Sequence, residues 1–301
     1  MLKGVDVSKH NETIDWQKVK NSGEVDFAIL RAGYGKLLSQ KDVQFERNYS
    51  ECKKYGIPVG CYWYSYAKSV SEIQTEARVF LEAIKGKQFE YPVYLDFEEK
   101  SQFNLGKSKC CEMAKAFLDI LEKAGYYAGI YCSSSYLNGF FKETVDGRYT
   151  VWCAHYGVSQ PSYTGQYDIW QHTAKGKVSG ITGGSGYVDR NYCYKENFPD
   201  IIKSAGLNGF AKTSDATEFP KKSIDELAKE VLENKWGTGA DRKARLTAAG
   251  YSYEAVQNAV NARLIDAPED MPVENNVESV EITLTVDGKT YSGTLTKNRK
   301  D

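Results

Sequence analysis

Tyr91-Pro-Val-Tyr-Leu-Asp-Phe-Glu98 is an apolar run that closes on two carboxylates spaced i and i+2. Alternate side chains leave the same face of a β-strand, so Asp96 and Glu98 point one way while Leu95, Phe97 and Glu99 point the other. Charged residues often end strands, and the first reading of the pair is a solvated strand end running into a loop. Two acids on one face are also what cleavage of a glycosidic bond asks for, one donating a proton and one steadying the developing cation. The rest of the chain decides between the two.

Working outward, strand character recurs at Gly4–Val7, Phe27–Ala32, Val59–Tyr64, Pro92–Phe97, Ala128–Cys132, Val151–His155, Asp168–His172 and Tyr187–Asp189. Helical stripes lie between the early ones. Ser71–Ile84 aligns Ile73, Ala77, Phe80, Leu81 and Ile84 before Gly86, and Ser108–Ala124 aligns Cys110, Ala114, Phe117, Leu118 and Leu121 before Gly125. Shorter patterns fill Asp15–Val19 and Phe45–Lys54. Alternating strands and helices imply a parallel sheet, and eight strands allow it to close. The last three strands are only about 15 to 20 residues apart and have no long helices between them, so the helical ring is incomplete. The expected fold class is α/β, an irregular (β/α)-barrel. Loops that follow parallel strands surround one mouth. Asp6 ends the first expected strand, Asp96 and Glu98 the fourth and Asp189 the eighth; strands one and eight are neighbours, with strand four across the mouth.

Composition narrows the partners. With 39 basic and 40 acidic residues the formal charge is -1, so no basic surplus points to nucleic acid or an anionic membrane. The 22 Tyr, 12 Phe and 5 Trp suit a carbohydrate cleft as well as an ordinary core. The start, Met1-Leu-Lys-Gly-Val-Asp-Val-Ser8, has no extended apolar segment, and nowhere do about 18 apolar residues run together. The expectation is a protein made in a bacterial host cytoplasm without a signal peptide, with no membrane insertion. Cys52, Cys61, Cys110, Cys111, Cys132, Cys153 and Cys193 form an odd set without C-x-x-C spacing and read as buried free thiols. His10, His155 and His172 are scattered. No metal site and no cofactor is expected.

Residues 1–206 resemble glycoside hydrolase family 25, lysozymes that cut between N-acetylmuramic acid and N-acetylglucosamine. The resemblance is carried by Gly4-Val-Asp-Val-Ser8 with Ile14-Asp-Trp16, Arg31-Ala-Gly-Tyr-Gly35, Gly60-Cys-Tyr-Trp-Tyr64, Leu95-Asp-Phe-Glu98, Gly129-Ile-Tyr131, Trp152, Trp170-Gln171 and Val188-Asp-Arg-Asn191. Their order and spacing are far more specific than any one of them. Trp63 departs from the pattern, standing where the family often has histidine, which puts substrate contacts there in question. The resemblance implies five βα units plus three strands. It also implies that Glu98 is the general acid, with Asp96 beside it and Asp6 and Asp189 completing the acidic set. For Asp6 and Asp189 a structural hydrogen-bond role is the competing reading. Tyr62, Tyr64, Tyr34, Tyr131, Trp152, Gln171 and Asn191 are the candidates for substrate contact, with core or rim packing the alternative for each.

Beyond the barrel, 207–222 is small and polar and reads as a linker. Residues 223–264 hold three short helical patterns: Ile224, Leu227, Ala228, Val231 and Leu232; then Ala244 and Leu246; then Val256, Ala259, Val260 and Leu264. The unit resembles the small cell-wall-binding repeat of some phage lysozymes, of the Cpl-seven type. Its matching residues are Ile224-Asp-Glu-Leu-Ala228, Lys235-Trp-Gly-Thr-Gly239, Arg242, Arg245-Leu246, Gly250-Tyr-Ser-Tyr253 and Val256-Gln257. The resemblance implies peptidoglycan binding, with Arg242, Arg245 and Tyr253 as contact candidates; a solvated basic face reads equally well for the arginines. A second linker, 265–279, leads to a β-hairpin over 280–301 turning at Asp287-Gly288. A lone hairpin is barely stable in water, so it packs on the protein or pairs with another copy, which makes a homo-oligomer through the C-terminal region an expectation. The function expected is peptidoglycan hydrolysis by a phage endolysin. The alternative is a noncatalytic wall-binding or virion structural protein on the same barrel, against which intact Asp96 and Glu98 speak.

Overall fold

The structure, a computed structural model, describes residues 1–211, 222–233, 235–236, 242, 246, 251–265, 279–286 and 289–296. The chain divides into two compact units, Met1–Pro220 and Lys221–Asp301.

The first unit is a closed eight-stranded barrel in sequence order. Its elements run β1 (Leu2–Val7), α1 (Trp16–Ser22), β2 (Phe27–Tyr34), α2 (Phe45–Lys54), β3 (Val59–Tyr64), α3 (Val70–Ala83), β4 (Val93–Asp96), α4 (Lys100–Phe103), α5 (Lys107–Lys123), β5 (Ala128–Ser133), α6 (Ser134–Tyr136), α7 (Lys142–Val145), β6 (Thr150–Ala154), β7 (Ile169–Gly176), β8 (Val188–Cys193) and α8 (Phe198–Ser204). Five βα units and three further strands are thus present. The fifth helical segment escaped the periodicity reading because it is cut in three, with a π-helical turn at Leu137–Phe141 between α6 and α7.

One expectation is corrected. The sheet is not all parallel: β8 runs antiparallel to both β7 and β1. A parallel return needs a crossover of about a dozen or more residues, usually a helix, and only the loop 177–187 joins β7 to β8. Asp189 therefore stands near the start of β8 rather than at its end. Because β8 runs the opposite way, its start lies where the other strands finish, and Asp189 is in register with Asp6.

Two apolar layers hold the barrel. The outer one packs strands on helices. In α3, Ile73, Ala77, Phe80 and Ala83 are buried, and Ser69 caps the start by accepting from the Glu72 N–H at 3.2 Å. Phe80 stacks on Trp63 of β3 with ring centroids 5.5 Å apart. Each such buried aromatic contributes about 1.5–3 kcal/mol. Gly33 makes room for this layer, since a Cβ there would come within 2.4 Å of the Trp63 ring. The inner layer holds Phe27, Ile29, Tyr91, Tyr94, Tyr131, Trp152, Ile169 and Cys193, closed below by Phe198 and Ile202 of α8. Gly4 serves it, because a Cβ would strike the Phe27 ring at 2.3 Å. No helix lies between β6 and β7 or between β7 and β8. On the β7–β8 pair, Trp170, His172 and Tyr192 stack among themselves, His172 on Tyr192 at 4.2 Å.

The barrel also extends past the expected boundary at 206. Asn208, fully buried at φ 54°, donates to the Phe89 and Tyr91 carbonyls at 3.1 and 2.9 Å and accepts from the Tyr127 N–H at 2.7 Å. It ties the chain to the barrel floor, so 207–210 is structure and not linker. Six of the seven cysteines are buried free thiols and Cys111 is half-buried.

In the second unit α9 (Ile224–Leu232) and α10 (Tyr253–Ile265) pack through Leu227, Ala228, Val231, Val256 and Val260, with Leu246 between them. Ser223 and Glu226 form a reciprocal cap at the start of α9. Ile224 and Leu232, expected in the buried stripe, are exposed at the helix ends. Most of the expected second helix, and Arg245 with it, falls outside the described residues. β9 (Ser279–Val286) and β10 (Lys289–Thr296) pair antiparallel with Val286 opposite Lys289. That register leaves Asp287-Gly288 as the connection, itself outside the described residues.

Candidate active site

The barrel's inward positions change character from floor to mouth. Alternation along β2 carries Phe27 and Ile29 in the core and then Arg31 at the rim; along β4, Tyr94 and then Asp96; along β8, from the other direction, Cys193, Asn191 and Asp189. A cleft of about 630 Å³ opens above, lined by Asp96, Glu98, Asp189, Arg31, Tyr34, Tyr62 and Tyr64 among others. Asp96 is the last residue of β4 and is 4% exposed. Glu98 lies two residues beyond the strand, with its side chain open to the cleft.

Asp6 sits below the lining, 5% exposed, and is the most firmly held of the four acids. Its Oδ2 accepts from Gln171 Nε2 and from Asn191 Nδ2, both at 2.8 Å. Neither amide can turn over. Gln171 Oε1 accepts the Tyr131 and Tyr156 hydroxyls at 2.7 and 2.5 Å, and Asn191 Oδ1 accepts the Trp152 indole N–H at 2.8 Å. Each amide therefore has only its N–H side left for the aspartate.

This network places four of the expected substrate-contact residues elsewhere. Tyr131, Trp152, Gln171 and Asn191 are buried beneath the acids, where they orient Asp6, while Tyr34, Tyr62 and Tyr64 line the cleft. Trp63, the departure from the family pattern, faces the helix layer and donates its indole N–H to the Gly35 carbonyl at 3.0 Å. It does not line the cleft. Tyr66 and Tyr156 are absent from the sequence expectations, and Arg31, which heads the run Arg31–Gly35, is not among the expected contacts. For Arg31 a signal was available, since it shares strand parity with the inward residues Phe27 and Ile29. In the second unit Arg242 donates to Gln257 Oε1 at 3.1 Å.

The acids hold their protons unusually tightly. Burial, then the Asp189 and Glu99 charges, raises Glu98 above the ordinary glutamate range. Burial raises Asp96 well above its usual range, Glu98 and Asp6 add to this, and Arg31 opposes it. Burial and Asp189 raise Asp6, against which the Asn191 and Gln171 amides act. Asp189 is pushed up to about 6, chiefly by burial. Side by side, such carboxyls share protons and titrate as a set.

A stability consequence follows for Asp189. Its proton is held more tightly folded, at about 6, than at the ordinary 3.8, so ionisation costs the fold nothing below pH 3.8 and the full penalty above the folded value. That penalty is about 1–3 kcal/mol. Asp189→Asn should melt about 2–8 °C higher than wild type near pH 8. The gain should vanish near pH 3.8, which thermal melts across pH would show.

Residues 5–181 match the family described as glycosyl hydrolases family 25. The chain belongs to that family. Family 25 membership fits the barrel and its cleft: the bacterial lysozyme from Streptomyces coelicolor has a similar structure, with a TM-score of 0.56 and 26% identity over 70% of this chain and 97% of that one. The uncharacterized protein YegX of Escherichia coli (strain K12) is 32% identical over 192 residues, 60% of this chain and 66% of its own length. The autolytic lysozyme of Clostridium acetobutylicum is 28% identical over 184 residues, 60% of this chain and 53% of its own length. The chain thus spans under two-thirds of each of these two relatives. Residues 225–264 match the CW_7 repeat. No described helix is long and apolar enough to cross a membrane.

Proposed function

We propose that the protein is a muramidase that hydrolyses the β-1,4 bond between N-acetylmuramic acid and N-acetylglucosamine of bacterial peptidoglycan. The observation that carries this reading is the convergence of Asp96, Glu98 and Asp189 on one cleft, with Asp6 locked beneath them. Glu98, open to the cleft and slow to lose its proton, is the group that can protonate the leaving oxygen. Asp96 at the cleft floor then supplies negative charge to the oxocarbenium-like state, with Asp6 and Asp189 shaping the field around it. Tyr34, Tyr62 and Tyr64 present rings and hydroxyls to the sugars. Digestion of purified walls followed by borohydride reduction tests this. Muramitol at the new ends is expected; glucosaminitol would indicate a glucosaminidase, and no new ends would leave a binding protein.

The CW_7 repeat supports a targeting role for the second unit, with Arg242, Arg245 and Tyr253 as contacts. A chain cut after Pro220 is expected to sediment less completely with walls while still cutting soluble glycan fragments. Equal sedimentation would remove the targeting role. A cutting barrel joined to a wall-holding unit also supports an endolysin assignment. Deleting the gene from an inducible prophage should delay lysis, and unchanged timing would count against it.

A further inference from the structure

Among the described groups that face Asp96, Arg31 is the cation. From β1 comes Asp6, from β3 and the loop after it Tyr62, Tyr64 and Tyr66, from beyond β4 Glu98, and from β5 Tyr131 and Cys132; all are neutral or negative. Arg31 is held from behind. Its Nε donates to Asp42 Oδ2 at 2.7 Å, and the buried Asp42 carboxylate also accepts from the Lys9 N–H at 3.0 Å and the Gln44 N–H at 2.9 Å. With three donors on Asp42, the guanidinium is anchored at the rim of the cleft.

Its other end is unmet. Arg31 Nη2 is shielded from solvent without a hydrogen-bond partner among the described residues, and so is Asp96 Oδ1. The two side chains flank β3, where Arg31 is in register with Tyr62 and Asp96 with Tyr64, and both line the cleft. A buried charged donor and a buried carboxylate oxygen are each costly to leave alone, and here the two are complementary.

We propose that Arg31 is a positioning residue: anchored by Asp42, it is the counter-charge that lets Asp96 stay negative while the proton of the Asp96–Glu98 pair rests on Glu98. This rests on the reading of Glu98 as proton donor. A cation beside one member of a coupled pair favours the charged form of that member, so Arg31 pulls the balance toward a charged Asp96, against the burial that favours its proton. Without Arg31, Asp96 keeps its own proton to higher pH, and the reactive state, Asp96 charged with Glu98 protonated, forms only there.

The full-length protein tests this through the pH dependence of kcat/KM on peptidoglycan. In Arg31→Gln the acidic limb should move up by about 1–3 pH units, while the alkaline limb stays in place. Arg31→Lys, which keeps the charge but not the fork, should recover part of the shift. If Arg31→Gln does not fold, Asp42→Asn is read the same way, since it frees the guanidinium from its anchor. Carbon-13 titration of the labelled carboxyls supplies a second measure, in which Asp96 should titrate higher in the variants than in wild type. Unmoved limbs together with an unmoved Asp96 titration would overturn the proposal. A wild-type protein that cuts no wall would end the hydrolase reading alone, because the carboxyl titration would still judge Arg31.

Discussion

Glu98→Gln should lower kcat for wall cleavage by about 10²–10⁴-fold, the range of a lost general acid, while the protein folds as before. The amide keeps the size and the cleft-facing position of the side chain but has no proton of the right acidity for the departing oxygen. Among the described residues Glu98 has no hydrogen-bond or ion-pair partner that holds the barrel together, and its ionisation is opposed by burial and by Asp189 and Glu99. The melting temperature should therefore equal or exceed that of wild type. Released reducing ends and a thermal melt on the same sample decide it. A folded variant with wild-type cleavage would remove Glu98 from the mechanism.

Gln171→Leu should also be damaging, by a smaller factor, although Gln171 does not line the cleft. Leucine fills similar space but takes one donor from Asp6 Oδ2 and strands the Tyr131 hydroxyl, buried with the ring 7% exposed. A hydrogen bond to a charged group is worth about 1.5–3 kcal/mol. Expressed in the transition state, that is about 10–150-fold in kcat/KM. Tyr156, half exposed, can turn to water, so the stability cost falls mainly on Tyr131 and should be about 1–3 kcal/mol by urea unfolding. A variant with this stability loss and unchanged kcat/KM would show that the amide supports the core alone.

Which parts of this were legible follows from which forces are local. Strand periodicity and the glycine stops placed α3 and α5 within a residue, because an apolar stripe and a left-handed glycine are written in neighbouring positions. Asp96 and Glu98 were legible for the same reason. The direction of β8 was not, since a short connection fixes it and not the strand's own residues. The expectation for Asp189 nevertheless reached the right mouth, because the misplaced strand end and the missed reversal compensate. Tyr131, Trp152, Gln171 and Asn191 were recognised as a group but not sorted into floor and wall. Depth in a barrel depends on how seven other strands close, and no single stretch carries that information. Asn208 was hidden by composition: a small polar residue in a small polar segment reads as linker until its three side-chain partners, far away in sequence, come together.

The downward course of β8 has one more consequence. The chain leaves the barrel beside Phe89, Tyr91 and Tyr127, at the entry ends of β4 and β5, opposite the rim that carries the acids. The sequence that follows therefore starts from the scaffold's base and not from the rim. Changes in the sequence beyond Asn208 should leave the acids in place, since Asp6 takes its donors from β7 and β8.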